Sequence, residues 1–292
     1  MNLQESGRKE HADPRIAVVV PVYNRRDLTV SFLQSFERVT YRNFEIIIVD
    51  DGSTDGTAET IAREFPRVRL LRESGDLWWA KATNIGIRDA LSRGAEFILT
   101  INDDVSVDPH LLDALVQTAQ AHPKTLVGSF VYEFKNPQKL WFAGGKVHWL
   151  RGNLVHRSTP RDGTLAWLTG MGTLIPAATF QDIGFYDEEH FPQYTADADF
   201  SLRAKKHGWS LALAPATAIW NRTEESSQLI IRKRVTLKTF FLPLVSLKSD
   251  AQLRLRIALY RRHWPLLLRP IAFSFYYARF MAKQTLRLLR LR

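Results

Sequence analysis

Five short apolar, β-branched runs recur along this chain at a nearly fixed interval. Ile16–Val20, Phe44–Val49, Val68–Leu71, Phe97–Ile101 and Thr125–Val131 begin 28, 24, 29 and 28 residues apart. That interval accommodates one strand, one turn and one returning helix, so it predicts a β-α repeat. The stretches between them, Asp27–Val39, Asp55–Phe65, Ala80–Arg93 and Asp108–His122, carry apolar residues three and four apart. In the last, Leu111, Leu112, Leu115, Val116 and Ala119 form one stripe behind Asp108-Pro109, a cap and first-turn pair. Continuous apolar strands alternating with amphipathic helices predict an α/β fold, a mostly parallel Rossmann-like sheet with helices on both faces.

The pattern changes after residue 131. Residues 139–175 are rich in Trp, Gly and short alternating runs, which suit antiparallel strands or loops. A helix is expected after Pro176 and another over Asp199–His207, ended by Gly208, followed by a short strand Leu211–Ala214 before Pro215. The chain has no cysteine, which excludes disulfides and thiolate metal sites. Met1–Pro14 is polar and lacks an apolar core, so it reads as a loose tail and not as a secretory signal.

The chemistry-bearing residues cluster at strand ends. Asn102-Asp103-Asp104 follows the fourth strand, where open α/β sheets bind ligands, and two carboxylates there attract a hard divalent cation. The alternative is a polar loop start or helix cap. Asp50-Asp51-Gly52-Ser53-Thr54-Asp55 follows the second strand; either it caps the next helix or one carboxylate accepts the imide N–H of a pyrimidine. No glycine-rich dinucleotide fingerprint follows strand one and there is no P-loop lysine. No His pair is spaced to hold zinc.

Seven motifs occur in a telling order: Val19-Val20-Pro21-Val22-Tyr23-Asn24, Val49-Asp50-Asp51-Gly52-Ser53-Thr54-Asp55, Asn84-Ile85-Gly86-Ile87, Asn102-Asp103-Asp104-Val105, Gly170-Met171-Gly172, Ile183-Gly184-Phe185-Tyr186-Asp187-Glu188, and Asp197-Ala198-Asp199-Phe200-Ser201-Leu202-Arg203. Across residues 15–222 the sequence thereby resembles the family-2 inverting glycosyltransferases, which have the A-type glycosyltransferase fold. The Trp78-Trp79 pair looks most like rhamnosyltransferase-type members.

The resemblance implies roles residue by residue. Pro21, Tyr23, Asn24 and Asp51 would line the nucleoside pocket, with Lys81 and Asn84 as phosphate or ribose contacts and Asp103 on the ribose side. Asp104 would hold a divalent cation, Mg²⁺ or Mn²⁺, aided by Asn221 where the family tends to have His. Asp197 would be the general base. The residue before it is usually Glu in the family and is Ala196 here. Trp78, Trp79, Gly170, Met171, Asp199 and His190 would border donor or acceptor, with Asp199 as a cap or support.

The implied reaction moves a hexose or deoxyhexose, rhamnose among them, from a UDP- or dTDP-sugar to a saccharide or lipid-linked saccharide hydroxyl in cell-surface glycan assembly. The competing readings are a catalytically idle nucleotide-sugar or glycan-binding module and a nucleotidylyltransferase. The glycine-free Pro21-Val22-Tyr23-Asn24-Arg25-Arg26 weighs against the latter.

On this resemblance the chain divides into the 1–14 tail, a glycosyltransferase domain over 15–228 with halves meeting near 131, and an extension over 229–292. From Ile230 to Arg292 there are 15 Lys or Arg against the single acid Asp250, whereas the rest of the chain is slightly acidic. Arg and Lys interleaved with Leu, Phe, Tyr and Trp suit amphipathic helices on an anionic membrane surface, or a packing or homo-oligomer interface. Nucleic-acid binding has no motif behind it. The expected location is the cytoplasm, peripheral on the membrane's cytoplasmic face.

Overall fold

A computed structural model describes residues 13–157, 165–222, 236 and 239–289. Most of the expected N-terminal tail, and the extension's first residues up to 235, lie outside the described residues.

The first half follows the strand spacing: β1 (Ile16–Val22), α1 (Arg26–Phe36), β2 (Phe44–Asp50), α2 (Thr57–Glu64), β3 (Arg69–Arg72), α3 (Trp78–Ser92), β4 (Phe97–Thr100), β5 (Val105–Val107), α4 (Leu111–Ala121) and β6 (Thr125–Glu133). Then come β7 (Asn136–Phe142), β8 (Gly145–His148), β9 (Asn153–His156), β10 (Thr173–Pro176), α5 (Ala177–Ile183), α6 (Ala196–Lys206) and β11 (Ser210–Asn221). The extension supplies α7 (Leu253–His263) and α8 (Arg269–Leu289).

Nine strands form one sheet in the order β3-β2-β1-β4-β10-β6-β11-β5, with β7 added antiparallel to β6. β3, β2, β1 and β4 are parallel, as are β6 and β11. The parallel expectation therefore holds over the first four strands. Beyond them the sheet is mixed, because β10 inserts antiparallel between β4 and β6, and β5 pairs antiparallel with β11. β8 and β9 form a separate hairpin.

Period-two alternation along β1 explains the two-faced core. Ile16, Val18, Val20 and Val22 pack with Phe32, Leu33 and Phe36 of α1 and with α4 on one face. Ala17 and Val19 pack with Ile87 and Ala90 of α3 on the other. Gly86 allows α3 to lie close to β1, since a Cβ there would run into Val19 Cγ1. The second face also buries Leu255, Leu259 and Tyr260 of α7 and the adjoining Trp264. Burying such a side chain fully is worth about 1.5–3 kcal/mol. Of the two packing modes open to the basic extension, α7 thus adopts core packing.

Strand order reverses beside β1: β2 and β3 lie on one side, β4 and the later strands on the other. Ligand crevices open at such a switch point, beyond the carboxyl ends of the strands.

Candidate functional site

A cavity of about 960 Å³ opens at that switch point. The carboxyl end of β1 brings Pro21 to its wall, and the loops after β1, β2 and β4 bring Tyr23, Arg25, Asp51, Asn102, Asp103 and Asp104. The first turn of α6 brings Asp197 to the same cavity, and the end of β11 brings Asn221. Carboxylates 51, 104 and 197, separated by up to 146 positions in sequence, share one space.

Asp103 and Asp104 are both nearly fully buried. Arg25 Nη1 donates to Asp103 Oδ1 at 2.8 Å and reaches Asp104 Oδ2 at 3.4 Å, while Thr29 Oγ1 donates to Asp103 Oδ2 at 3.0 Å. Burial pushes the Asp103 carboxyl up to about 6 even though the Arg25 guanidinium pulls it down. Antiparallel pairing of β5 with β11 sets Asn221 opposite Val105, and the Arg222 N–H donates to the Asp104 carbonyl. Asn221 is buried and its Oδ1 has no hydrogen-bond partner among the described residues. An acceptor amide oxygen without a hydrogen-bond partner lining the same cavity as the Asp104 carboxylate is a donor set of the kind hard cations use, so the residues present fit Mg²⁺ or Mn²⁺. Among the described residues no cluster of three or more His, Asp or Glu side chains forms a complete metal cage.

Asp51 anchors the loop before α3. Its carboxylate accepts the N–H of Leu77 (2.9 Å) and of Trp78 (3.2 Å), and burial raises its pKa. Asp76 and Trp78 both stand at φ +62°, a left-handed conformation that Asp tolerates and that is costly for a bulky Trp. Trp78 and Trp79 both line the cavity, because the pair opens a helix and does not lie in an extended strand. Trp79 Nε1 donates to Asn102 Oδ1 at 2.9 Å, and its ring meets Tyr186 edge-on. Gly170 faces that ring so closely that a Cβ would collide with it.

Asp197 is oriented by backbone donors: the Gly170 N–H reaches Oδ2 at 3.0 Å and the Ala198 N–H reaches Oδ1 at 2.8 Å. Burial raises its pKa against these hydrogen bonds. Thr195, just before the helix, adopts φ +74°. Among the described residues five non-glycines have positive φ, and Asn24, Asp76, Trp78 and Thr195 line or flank this cavity. Strain concentrated in this way is a signature of functional sites. The Ala196 side chain is buried and apolar, so no carboxylate supports Asp197 from the preceding position.

Met171 also lines the cavity, whereas Asn24, Lys81, Asn84, His190 and Asp199 are not in its wall. Asn24 ties loops together, its N–H donating to Ser53 Oγ and its Oδ1 accepting the Thr54 N–H. Lys81 is exposed on α3 and does not line the cavity. Asn84 is buried and spends its amide on the Tyr186 backbone and Glu188. His190 Nδ1 faces Asp187 at 3.0 Å. Asp199 is fully buried and bound by Arg203 Nε (2.8 Å), Arg262 Nη1 (2.9 Å) and His263 Nε2 (2.8 Å). Burial alone would raise it, yet these partners hold it down at about 2.

Sequence reasoning did not reach Arg25, the aromatic wall of Trp141, His156 and Trp167, or Lys248, Asp250 and Arg256 of the extension, all of which line the cavity. Lys248 Nζ lies 5.9 Å from the Trp78 ring centre. Arg256 is buried; it donates to the Asp250 carbonyl and carboxylate and to Tyr276 Oη on α8. For Arg25 a signal was present, a cation following strand one within reach of an acidic switch-point loop.

Residues 17–184 match the family model described as Glycosyl transferase family 2. The chain belongs to that family. Over 238 residues it is 25% identical to an N-acetylglucosaminyl-diphospho-decaprenol L-rhamnosyltransferase of Mycobacterium tuberculosis, covering 73% of this chain and 77% of that one. It is 24% identical over 229 residues to a poly-beta-1,6-N-acetyl-D-glucosamine synthase of Staphylococcus aureus, covering 75% of this chain and 53% of the synthase. The fold of this glycosyltransferase resembles the mannosyltransferase PcManGT from Pyrobaculum calidifontis, solved with GDP-Man and Mn²⁺. The two superpose with a TM-score of 0.57 at 17% identity, over 94% of this chain and 87% of the other.

Proposed function

We propose that this glycosyltransferase inverts configuration as it moves a hexose or deoxyhexose, rhamnose among the candidates, from a UDP- or dTDP-sugar to a saccharide hydroxyl. The observation that carries the reading is the convergence of Asp51, Asp104 and Asp197 on one cavity. Tyr23 and Asp51 are suited to the nucleoside, and the Trp141, His156 and Trp167 wall offers apolar faces to an acceptor sugar. Similarity to the M. tuberculosis rhamnosyltransferase supports a lipid-linked acceptor in cell-surface glycan assembly, which would bring the protein to the cytoplasmic face of a membrane.

In the proposed step Asp197 accepts the acceptor hydroxyl's proton as that oxygen bonds the anomeric carbon, and the carbon–phosphate oxygen bond breaks on the opposite face. Burial raises the base toward the working pH, and the Gly170 and Ala198 N–H groups fix its direction. A divalent cation bound by Asp104 and Asn221 would supply charge neutralisation for the leaving diphosphate, its shell completed by phosphate and water oxygens. Arg25 presents a fixed positive charge beside the same carboxylates.

Transfer assayed with radiolabelled nucleotide sugars, with the product anomer read by NMR, tests the proposal. Inverted product and a chelator-sensitive rate are expected; retained configuration would overturn it.

A further inference from the structure

α8 presents an unpartnered apolar stripe. Ile271, Phe275, Ala278, Ala282, Leu286 and Leu289 recur four, three, four, four and three residues apart, and all are exposed. They occupy one side of the helix. The opposite side carries Gln284, which is buried, and the half-buried Phe273, Tyr277 and Phe280. Just before the helix, Leu266 and Leu267 stand out further still, Leu267 at 83% exposure. Along one border of the stripe run Arg279, Lys283 and Arg287, spaced four apart and exposed. From residue 251 to the end of the chain there are ten Lys or Arg and no acid.

We propose that this face docks on an anionic lipid surface, with the helix lying in the plane of the headgroups. The inference rests on the membrane placement proposed above, but its test does not run through catalysis. Among the described residues no helix is long and apolar enough to cross a membrane, so the contact is one of lying on the surface. Charge decides the occupant. A second copy meeting this face would set the exposed Arg279 and Lys283 against their own kind. A nucleic acid would answer the cations and leave the apolar stripe in water. An anionic bilayer satisfies both, taking Phe275 and Leu267 among acyl chains and the cations among headgroups.

The plate is mechanically joined to the cavity. Arg256, which lines the cavity, donates to Tyr276 Oη on α8 and packs 4.0 Å from the centre of its ring. Arg256 and Tyr260 both donate to the Gly152 carbonyl in the turn of the β8–β9 hairpin. The hairpin carries His156, part of the aromatic wall. Docking α8 would therefore hold the acceptor side of the cavity at the lipid surface.

Vesicle flotation of the full chain tests the proposal. At physiological salt, binding is expected to vesicles of phosphatidylcholine with phosphatidylglycerol and not to phosphatidylcholine alone. Each headgroup-facing cation contributes about fivefold, so the triple variant Arg279→Gln, Lys283→Gln, Arg287→Gln should bind about a hundredfold more weakly. Leu267→Asp with Phe275→Asp should abolish binding. These positions are exposed, so melting temperature and transfer to a soluble acceptor should match the parent chain, which keeps failure of docking distinct from failure of the transfer reaction. Equal binding to neutral vesicles, or no binding at physiological salt, would overturn the proposal. So would a dimer seen by light scattering that Phe275→Asp dissolves.

Discussion

The two walls of the cavity are built on different principles. The wall formed by β1, β2 and β4 draws on short loops at strand ends, and its side chains contact neighbours on the same layer: Arg25 with Asp103, Asp51 with Leu77. The opposite wall is backed by the C-terminal extension. Behind it, Asp199 on α6 is satisfied by Arg262 and His263 at the end of α7. The first wall has repeated local architecture behind it, whereas the second depends on the last quarter of the chain folding back. Charge follows the same division. Asp103 in the first wall is pushed up to about 6 by burial, and Asp199 behind the second is held at about 2 by its cations.

The largest effect should come from Asp197→Asn. Turnover is expected to fall about 10²–10⁴-fold, with melting temperature and nucleotide-induced thermal shift retained. Near-parent turnover would move the base elsewhere. Next is Asp199→Ala, which leaves Arg203, Arg262 and His263 facing a buried gap. It should cost about 3–5 kcal/mol in denaturant unfolding, while Asp51→Asn, in the looser wall, should cost about 1 kcal/mol. Equal costs would erase the contrast between the walls.

The same carboxylate sets a pH signature. Its folded pKa lies below the ordinary 3.8, so its contribution is present above that value and is lost as pH falls toward about 2. Arg203, Arg262 and His263 bind it directly, and Asp187 shares Arg262. Between pH 4 and 2 the parent should lose stability more steeply than Asp199→Asn, as read by urea midpoints.

Gly170→Ala drives a methyl into Trp79, an overpacking expected to cost about 1–3 kcal/mol and to raise KM for the donor, since both residues line the cavity. The smallest effect expected is at Arg25. Replacing it with Met removes a cation that competes for Asp103 and Asp104, and Mn²⁺ binding without nucleotide should tighten about fivefold by paramagnetic resonance titration. Unchanged affinity would show that the guanidinium and the metal do not contend for the same oxygens.

Where the physics is local, the sequence was readable. Fully buried parallel strands must be apolar throughout, so β1, β2, β4 and β6 stood out, and their carboxyl ends pointed to Asp51 and Asp104. The mixed part of the sheet was less legible. β10 is only four residues long, and nothing in Thr173–Pro176 announces an antiparallel insertion between two strands encoded earlier. β11 continues to Asn221 past Pro215 because a register shift between Leu213 and Ala218 removes the need for a ladder N–H there. Asn84 carried a family motif, yet its buried amide braces the Tyr186 loop. Lys248 and Arg256 carried no motif, because a position on the cavity wall imposed by tertiary folding leaves no periodicity behind.

The bonds between Asp199 and the segment at 262–263 have an evolutionary and practical corollary. Cutting the chain ahead of α7 would take Arg262 and His263 from Asp199, leaving Arg203 as its cation in the helix that holds the proposed base, and would uncover Leu259's partners at the same stroke. The C-terminal portion is therefore part of the fold and not a removable accessory. Any graft that redirects this protein to another surface would have to bring its own counter-ions for position 199.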